Sequence, residues 1–394
     1  MLNFVQYTPT RILFGRDMEK ETGKEIARLG GTRVLIVYGG GSIVRSGLLK
    51  TVEDSIREAG LEYVEFGGAQ PNPLLSHALE GIALCKKEKI DFVLAVGGGS
   101  SIDTAKGIAD GSANPDGDFW DLWMGKVPLE KTLPIGVVLT IAAAGSETSN
   151  SAVLTNEETG IKKGLTSDVH RPLFAIMDPA LLATVPSYHI ACGIVDIMMH
   201  TLDRYFVPGI PGQLTDEIAE GLLRTMIDNG PAALQDPSDY DAMAEVMWAG
   251  SVSHNEITGL GRGTRDFPVH GMTAPLSAHF DAIHGATLAA MWGHWAEYVY
   301  ECAPERFARY ARKVWGVTEE DDLAASREGI ARTMRFFKSL GMPVSVRELM
   351  GRELTEEEIC SLAADATGND TKKLCRAKAL GQAEVEEIYR NANR

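Results

Sequence analysis

Residues 92–106 read FVLAVGGGSSIDTAK, and this passage decides the fold. Phe92–Val96 is a short run with no polar interruption. A strand that is apolar throughout is buried on both faces, as in a parallel sheet covered by helices. Gly97, Gly98, Gly99 and Ser100 follow, and then a helical start. Glycines let the backbone approach a phosphate closely, and a helix N-terminus offers free N–H groups and the positive end of its dipole. The same arrangement occurs upstream, where residues 34–47 read VLIVYGGGSIVRSG. Gly136–Ile141 and Phe174–Met177 are two further buried strands by the same reasoning, and Leu48–Ala59 and Leu74–Lys87 show helical spacing. Strands alternating with helices predict an α/β N-terminal domain.

Beyond about Pro186 the pattern is helical: Ile190–Tyr205, Thr215–Asp228, Tyr240–Ser253, Glu305–Trp315 and Ser326–Leu340 carry helix-like periodicity. A chain of 394 residues is long enough for two domains. The expected division is residues 1–185, α/β, and 186–394, all-α. A cleft between two such domains is a common ligand site.

A formal net charge of −16 disfavours nucleic acid as a partner, since such a surface repels phosphate backbones. The five cysteines are scattered, with no CxxC pair, which points to a reducing compartment and away from a cysteine-based zinc site. The start MLNFVQYTPTRILFG has no basic segment followed by an apolar run, so no signal peptide is read. Apolar stretches such as residues 132–146 and 179–195 are short for a membrane span. The expectation is a cytoplasmic protein.

Two features carry chemistry. In the second glycine turn, Gly98, Gly99 and Ser100 suit a pyrophosphate; the first turn, after its own strand, suits an adenosine ribose. Neither reads G-x-G-x-x-G, and two tight turns with no ligand are the plain alternative. The other feature is a donor set. Asp196 and His200 lie four apart, on one face of a helix, and His270 and His284 lie in a second histidine-bearing segment. One carboxylate and three imidazoles suit Fe²⁺ or Zn²⁺, and such an ion polarises a carbonyl oxygen. Each histidine alone also has a structural reading. His77, His170 and His189 are read as surface or structural, while His254, His279 and His294 stay open.

With these residues in hand, the chain resembles the iron-containing alcohol dehydrogenase family over nearly its whole length. The segments that carry the resemblance are FVLAVGGGSSIDTAKGIA, LTIAAAGSETSNSAV, FAIMDP, ACGIVDIMMHTLDRY and PVHGMTAPLSAHFDAIHGATLAAM. FVQYTPTRILFG, VYGGGSIVRSG, EFGGAQPNP and VMWAGSVSHN point to the butanol dehydrogenase and NADPH-dependent aldehyde reductase branch. The resemblance implies a Rossmann-like N-terminal domain and a helical C-terminal domain, an architecture shared with dehydroquinate synthase. It implies metal ligands at Asp196, His200, His270 and His284 and a pyrophosphate on Gly98, Gly99 and Ser100. Asp103 would lie near the nicotinamide, in a catalytic role, and Thr140 and Lys162 would contact the cofactor. No carboxylate stands at Gly39, Gly40, Gly41 or Ser42, and Arg45 is close by, so the implied cofactor is NADP(H), with NAD(H) possible. The implied substrate is a small aldehyde or primary alcohol, and the implied assembly a homodimer.

Three departures bear on the chemistry. A histidine usual in the family four residues after the third ligand is Ala274 here, which leaves His279 as a candidate for a proton-handling role or for none. Ala144 stands where threonine is common. Phe267 replaces a tryptophan after the Gly263–Asp266 stretch. Two rival functions follow: a lyase of the dehydroquinate synthase type, which gives no net cofactor turnover, and a cofactor-binding relative without catalysis.

Overall fold

A computed structural model describes residues 1–262 and 266–394. The chain divides into two compact units, Tyr7–Thr184 and Val185–Arg394, the latter including Met1–Gln6.

The first unit is built on a six-stranded parallel sheet. Its strands are β1 (Arg11–Phe14), β2 (Arg33–Tyr38), β3 (Glu62–Phe66), β4 (Phe92–Gly97), β5 (Ile135–Leu139) and β8 (Phe174–Met177). A separate antiparallel hairpin joins β6 (Ser151–Asn156) to β7 (Ile161–Thr166). The strand order is β1-β8-β5-β4-β2-β3. β4, β5 and β8 are fully buried along their length, as continuous apolar strands between helix layers must be. The core that covers one face contains Val34, Ile36, Val52, Ile56, Leu94 and Ile176.

The order of strands places the site. From β2 the chain adds β3 on one side, then crosses back over β2 to lay down β4 on the other. The direction of winding reverses between β2 and β4, and at such a switch point the loops leaving the two strands part and open a crevice at their carboxyl ends. β2 and β4 pair in parallel, with Tyr38 opposite Val96. The two glycine turns that follow, from Gly39 and from Gly97, therefore emerge side by side at that point.

The second unit is helical. Its longer helices are Ser187–Tyr205, Gln213–Gln235, Tyr240–His254, Pro268–Phe280, His284–Val299, Pro304–Trp315, Asp322–Ser339, Glu356–Thr367 and Gln382–Ala392. Its core is aromatic: Phe206 stacks on Phe307 at 4.0 Å, against Trp295, Tyr205 and Tyr310. A buried carboxylate, Asp216, ties two helices and the turn at Arg262 together by accepting from Arg306 at 2.9 and 3.0 Å and pairing with Arg262. Charges so deeply placed are tolerated only with this completeness of partners. Among the described residues, no helix is long and apolar enough to cross a membrane.

Candidate active site

In the first unit, the helix Gly99–Ala113 begins directly from β4, with Gly98 as its N-cap in extended conformation. A side chain on this turn would be tightly crowded. A Cβ at Gly98 would lie 3.0 Å from Ile141, and one at Gly99 3.2 Å from the Ala144 methyl. The helix N-terminus thus presents bare backbone N–H groups, the requirement for holding a pyrophosphate. Thr140 follows β5, and its amide donates to the Gly97 carbonyl at 3.0 Å, so it stands beside the turn. Across the switch point, the Gly39 backbone lies near Ser101, whose Oγ would be 3.6 Å from a Cβ there. Gly41 has the exposed Arg45 guanidinium folded over it, 2.8 Å from where a Cβ would be. Lys162, on β7, donates to Asn72 Oδ1 at 2.8 Å.

Asp103, Lys106 and Asp110 fall on one face of the Gly99–Ala113 helix; the first two bond the segment 146–153 directly, and Asp110 reaches it through His170. Asp103 accepts from the Ser146 hydroxyl at 2.7 Å and from the Val153 amide at 3.0 Å. Both carboxylate oxygens are engaged in holding this segment. Lys106 is fully buried and donates to the carbonyls of Ser146, Ser149 and Ser151 and to the Ser146 hydroxyl, at 2.8–3.1 Å. Burial pushes its ammonium down to about 8 against the opposing pull of the Asp103 carboxylate. His170 lies between Asp110, at 2.8 Å, and the Asn150 carbonyl, at 3.0 Å. These three residues fasten to the helix the segment whose preceding residues, Ile141 and Ala144, wall the glycine turn.

In the second unit, Asp196, His270 and His284 converge: one ligand atom from each lies within 4.8 Å of the others. His270 Nε2 is 3.5 Å and His284 Nε2 3.8 Å from Asp196 Oδ1. His200 Nε2 lies 3.7 Å from the same oxygen, although its ring does not join the tighter set of three. It is sandwiched by stacking on His254 at 4.1 Å and on His270 at 4.9 Å. Helix geometry explains the convergence, since Asp196 and His200 share one face of Ser187–Tyr205 and His284 opens its own helix.

The donor set fits a divalent cation. Asp196 Oδ1 and His270 Nε2 are buried with no hydrogen-bond partner among the described residues, and they face each other. Buried polar atoms are rarely left so without an ion or water to share. The other His270 nitrogen, Nδ1, is 2.7 Å from Asp203 Oδ2, the outer carboxylate that commonly orients a metal-binding imidazole. Burial alone would favour a neutral Asp196, but His200, His270 and His284 outweigh it and hold the carboxyl well below its usual range. Burial drives the His200 ring well below its ordinary value, which keeps it neutral, the form that ligates metals.

His279 is placed elsewhere. It pairs with Asp365 at 2.7 Å on a half-exposed surface and is not among the residues around Asp196. The reason is helix phase: nine residues at about 100° each put it on the opposite side of the helix from His270. Ala274, one turn from His270, shares that ligand's face. Phe267 sets its ring edge-on to His200 and His270 and beneath the Arg204 guanidinium. Of the stretch before it, residues 263–265 lie outside the described residues. Two participants went unread in the sequence, Asp203 and Lys106, and a third, His254, was left open. Asp203 was within reach, because it follows Asp196 by seven residues on the same face.

Comparison with known proteins agrees with this geometry. Residues 9–179 match the family described as iron-containing alcohol dehydrogenase, and residues 190–393 match its C-terminal part. NADH-dependent butanol dehydrogenase A of Clostridium acetobutylicum is 38% identical, with both chains fully covered. The NADPH-dependent aldehyde reductase YqhD of Escherichia coli is 36% identical over 88% of this chain and 89% of its own. The solved structure of NADH-dependent butanol dehydrogenase A from Thermotoga maritima superposes with a TM-score of 0.95 at 37% identity, covering 100% of this chain and 99% of that one. With both units matched and the donor set in place, the chain belongs to the iron-containing alcohol dehydrogenase family and is a metal-dependent alcohol dehydrogenase or aldehyde reductase that works with a nicotinamide dinucleotide.

Proposed function

We propose that this enzyme reduces a small aldehyde to its primary alcohol with NADPH, in the net reaction R–CHO + NADPH + H⁺ ⇌ R–CH₂OH + NADP⁺, and that Asp196, His200, His270 and His284 hold the cation. One observation carries the reading: Asp196, His270 and His284 converge while Asp203 fixes the His270 ring. A bound Fe²⁺ or Zn²⁺ supplies Lewis-acid polarisation of the carbonyl oxygen. The protein's own work is positional. Asp203 retains the proton on His270 Nδ1 and leaves Nε2 to face inward. Asp196 stays ionised, and Phe267 covers the His200 and His270 rings. Gly98, Gly99 and Ser100 receive the pyrophosphate in the first unit, where the segment fastened by Asp103 and Lys106 keeps the turn in shape. With alanine at 274 and His279 bonded to Asp365, the proton for the product oxygen comes from water or from the cofactor ribose.

The preference for NADP(H) rests on two features. No carboxylate occupies Gly39 to Ser42 to repel a 2′-phosphate, and Arg45 lies over Gly41 as a counter-charge. The test is an activity screen of Fe²⁺- and Zn²⁺-loaded enzyme with NADPH and NADH over a panel of aldehydes and ketones, alongside elemental analysis. Net oxidation of NADPH by a short aldehyde is expected. Product formed with no net cofactor oxidation would replace this reading by the lyase.

A further inference from the structure

His284 is the first residue of the helix His284–Val299, and Gly285 is the second. Gly285 is buried, and the helix crosses Ser187–Tyr205 at this glycine. A Cβ at Gly285 would lie 2.7 Å from both the carbonyl carbon and the Cα of Cys192, and closer still to the Cys192 oxygen. The obstacle is helix backbone, which has no rotamer to swing aside. The φ of Gly285 lies outside the left-handed region, so conformational freedom does not explain the glycine. Close approach does: the two backbones touch here.

The place of contact ties it to the cation set. Cys192 precedes Asp196 by one helical turn, and Gly285 adjoins His284. The contact therefore joins the two ligands at their bases, and the separation it permits is the 3.8 Å between His284 Nε2 and Asp196 Oδ1. The geometry points to Gly285 as a positioning residue that sets His284 against Asp196. Any side chain at 285 lifts the start of the helix and carries the His284 ring away from the carboxylate. This rests on the cation reading above. Gly293, two turns along the same helix, is a built-in control. A Cβ there would meet the Met334 side chain, its Sδ, Cε and Cγ at 2.5–2.8 Å, a flexible side chain where Gly285 meets backbone.

The test uses the full chain, stripped of metal and titrated with Co²⁺ against a competing chelator, with the visible ligand-field bands recorded. Gly285→Ala is expected to weaken Co²⁺ binding by about 10–100-fold, the usual effect of losing support behind a ligand, and to shift the bands. Gly293→Ala is expected to stay within about twofold of the parent. In a His284→Ala background, Gly285→Ala should have no further effect, because it acts through that ring. Dinucleotide binding, followed by fluorescence, should be the same in all variants. Unaltered Co²⁺ affinity and spectrum in Gly285→Ala overturn the proposal, as does a full effect in the His284→Ala background. A parent chain that takes up no Co²⁺ overturns the cation reading and this proposal with it. Should Gly285→Ala fail to fold, hydrogen exchange on the parent decides: Co²⁺ should protect the amides of residues 284–292 and 190–196 together, and absence of that joint protection overturns it.

Discussion

Metal uptake by this enzyme should depend steeply on pH, because in the metal-free chain a proton occupies the place of the cation. Burial works against a charged His270, but the facing Asp196 and Asp203 carboxylates outweigh it and lift the ring to about 9. A cation must take Nε2 as a free lone pair and so displace that proton. At pH 7 the ring is two units below its titration point, so about one in 100 is ready to bind. The apparent dissociation constant should then be about 50-fold weaker at pH 7 than at pH 9, where half the rings are free, or about 2 kcal/mol at 1.36 kcal/mol per tenfold. Co²⁺ titrations at pH 6, 7, 8 and 9 should give a tenfold gain per unit, levelling near pH 9. Calorimetry in buffers of different ionisation enthalpy should count about one proton released per ion at pH 7. The sign for stability follows. The folded value lies above the ordinary 6.5, so the stabilisation is complete below 6.5 and is lost as pH rises through about 9. Metal-free enzyme should lose about 3 kcal/mol over that window. Equal affinity from pH 6 to 9, with no proton released, would refute the reasoning.

Arg45→Glu should raise KM for NADPH by about 10–100-fold, the worth of a charge-assisted phosphate contact, and leave NADH little changed; equal loss with both cofactors would count against the 2′-phosphate reading. His279→Gln removes only a half-exposed pair with Asp365, worth about 0–1 kcal/mol, so steady-state kcat should stay within about twofold of the parent. A drop of a hundredfold would restore a catalytic role to His279. Lys106→Met strips the donor from three buried carbonyls, and at about 1 kcal/mol each urea unfolding should show a loss of about 3 kcal/mol. A loss under about 1 kcal/mol would mean that the cost of burying the ammonium cancels its bonds.

The strands read from the sequence are those the sheet buries on both sides. Val34–Tyr38 and Phe92–Val96 announce themselves because a central parallel strand has no wet face to vary. β1 and β3 went unread for the converse reason: they are the sheet's edges, where RILF and EYVEF mix charge with apolar residues. The β6–β7 hairpin was missed too, since Lys162, Lys163 and Gly164 in succession break any apolar alternation. In the site, the Asp196–His200 spacing was legible because helix geometry makes four residues one face. The same geometry bears on His279, which the sequence left between a proton-handling role and none: five residues of helix turn it away from the face of Ala274. Lys106 was hidden for another reason: nothing in DTAK distinguishes a lysine that waves in water from one that closes over three carbonyls.

The adjacency of β2 and β4 has a practical corollary. Neighbouring strands keep a spacing of about 4.8 Å, so the interval between the two glycine turns is a constant of the scaffold and does not depend on what the turns contain. The short piece from Gly41 to Arg45 can accordingly be treated as a cassette. Exchanging it should retune which dinucleotide is chosen while the pyrophosphate seat proposed at Gly98 and Gly99 keeps its register, because the ruler between them is hydrogen-bonded backbone.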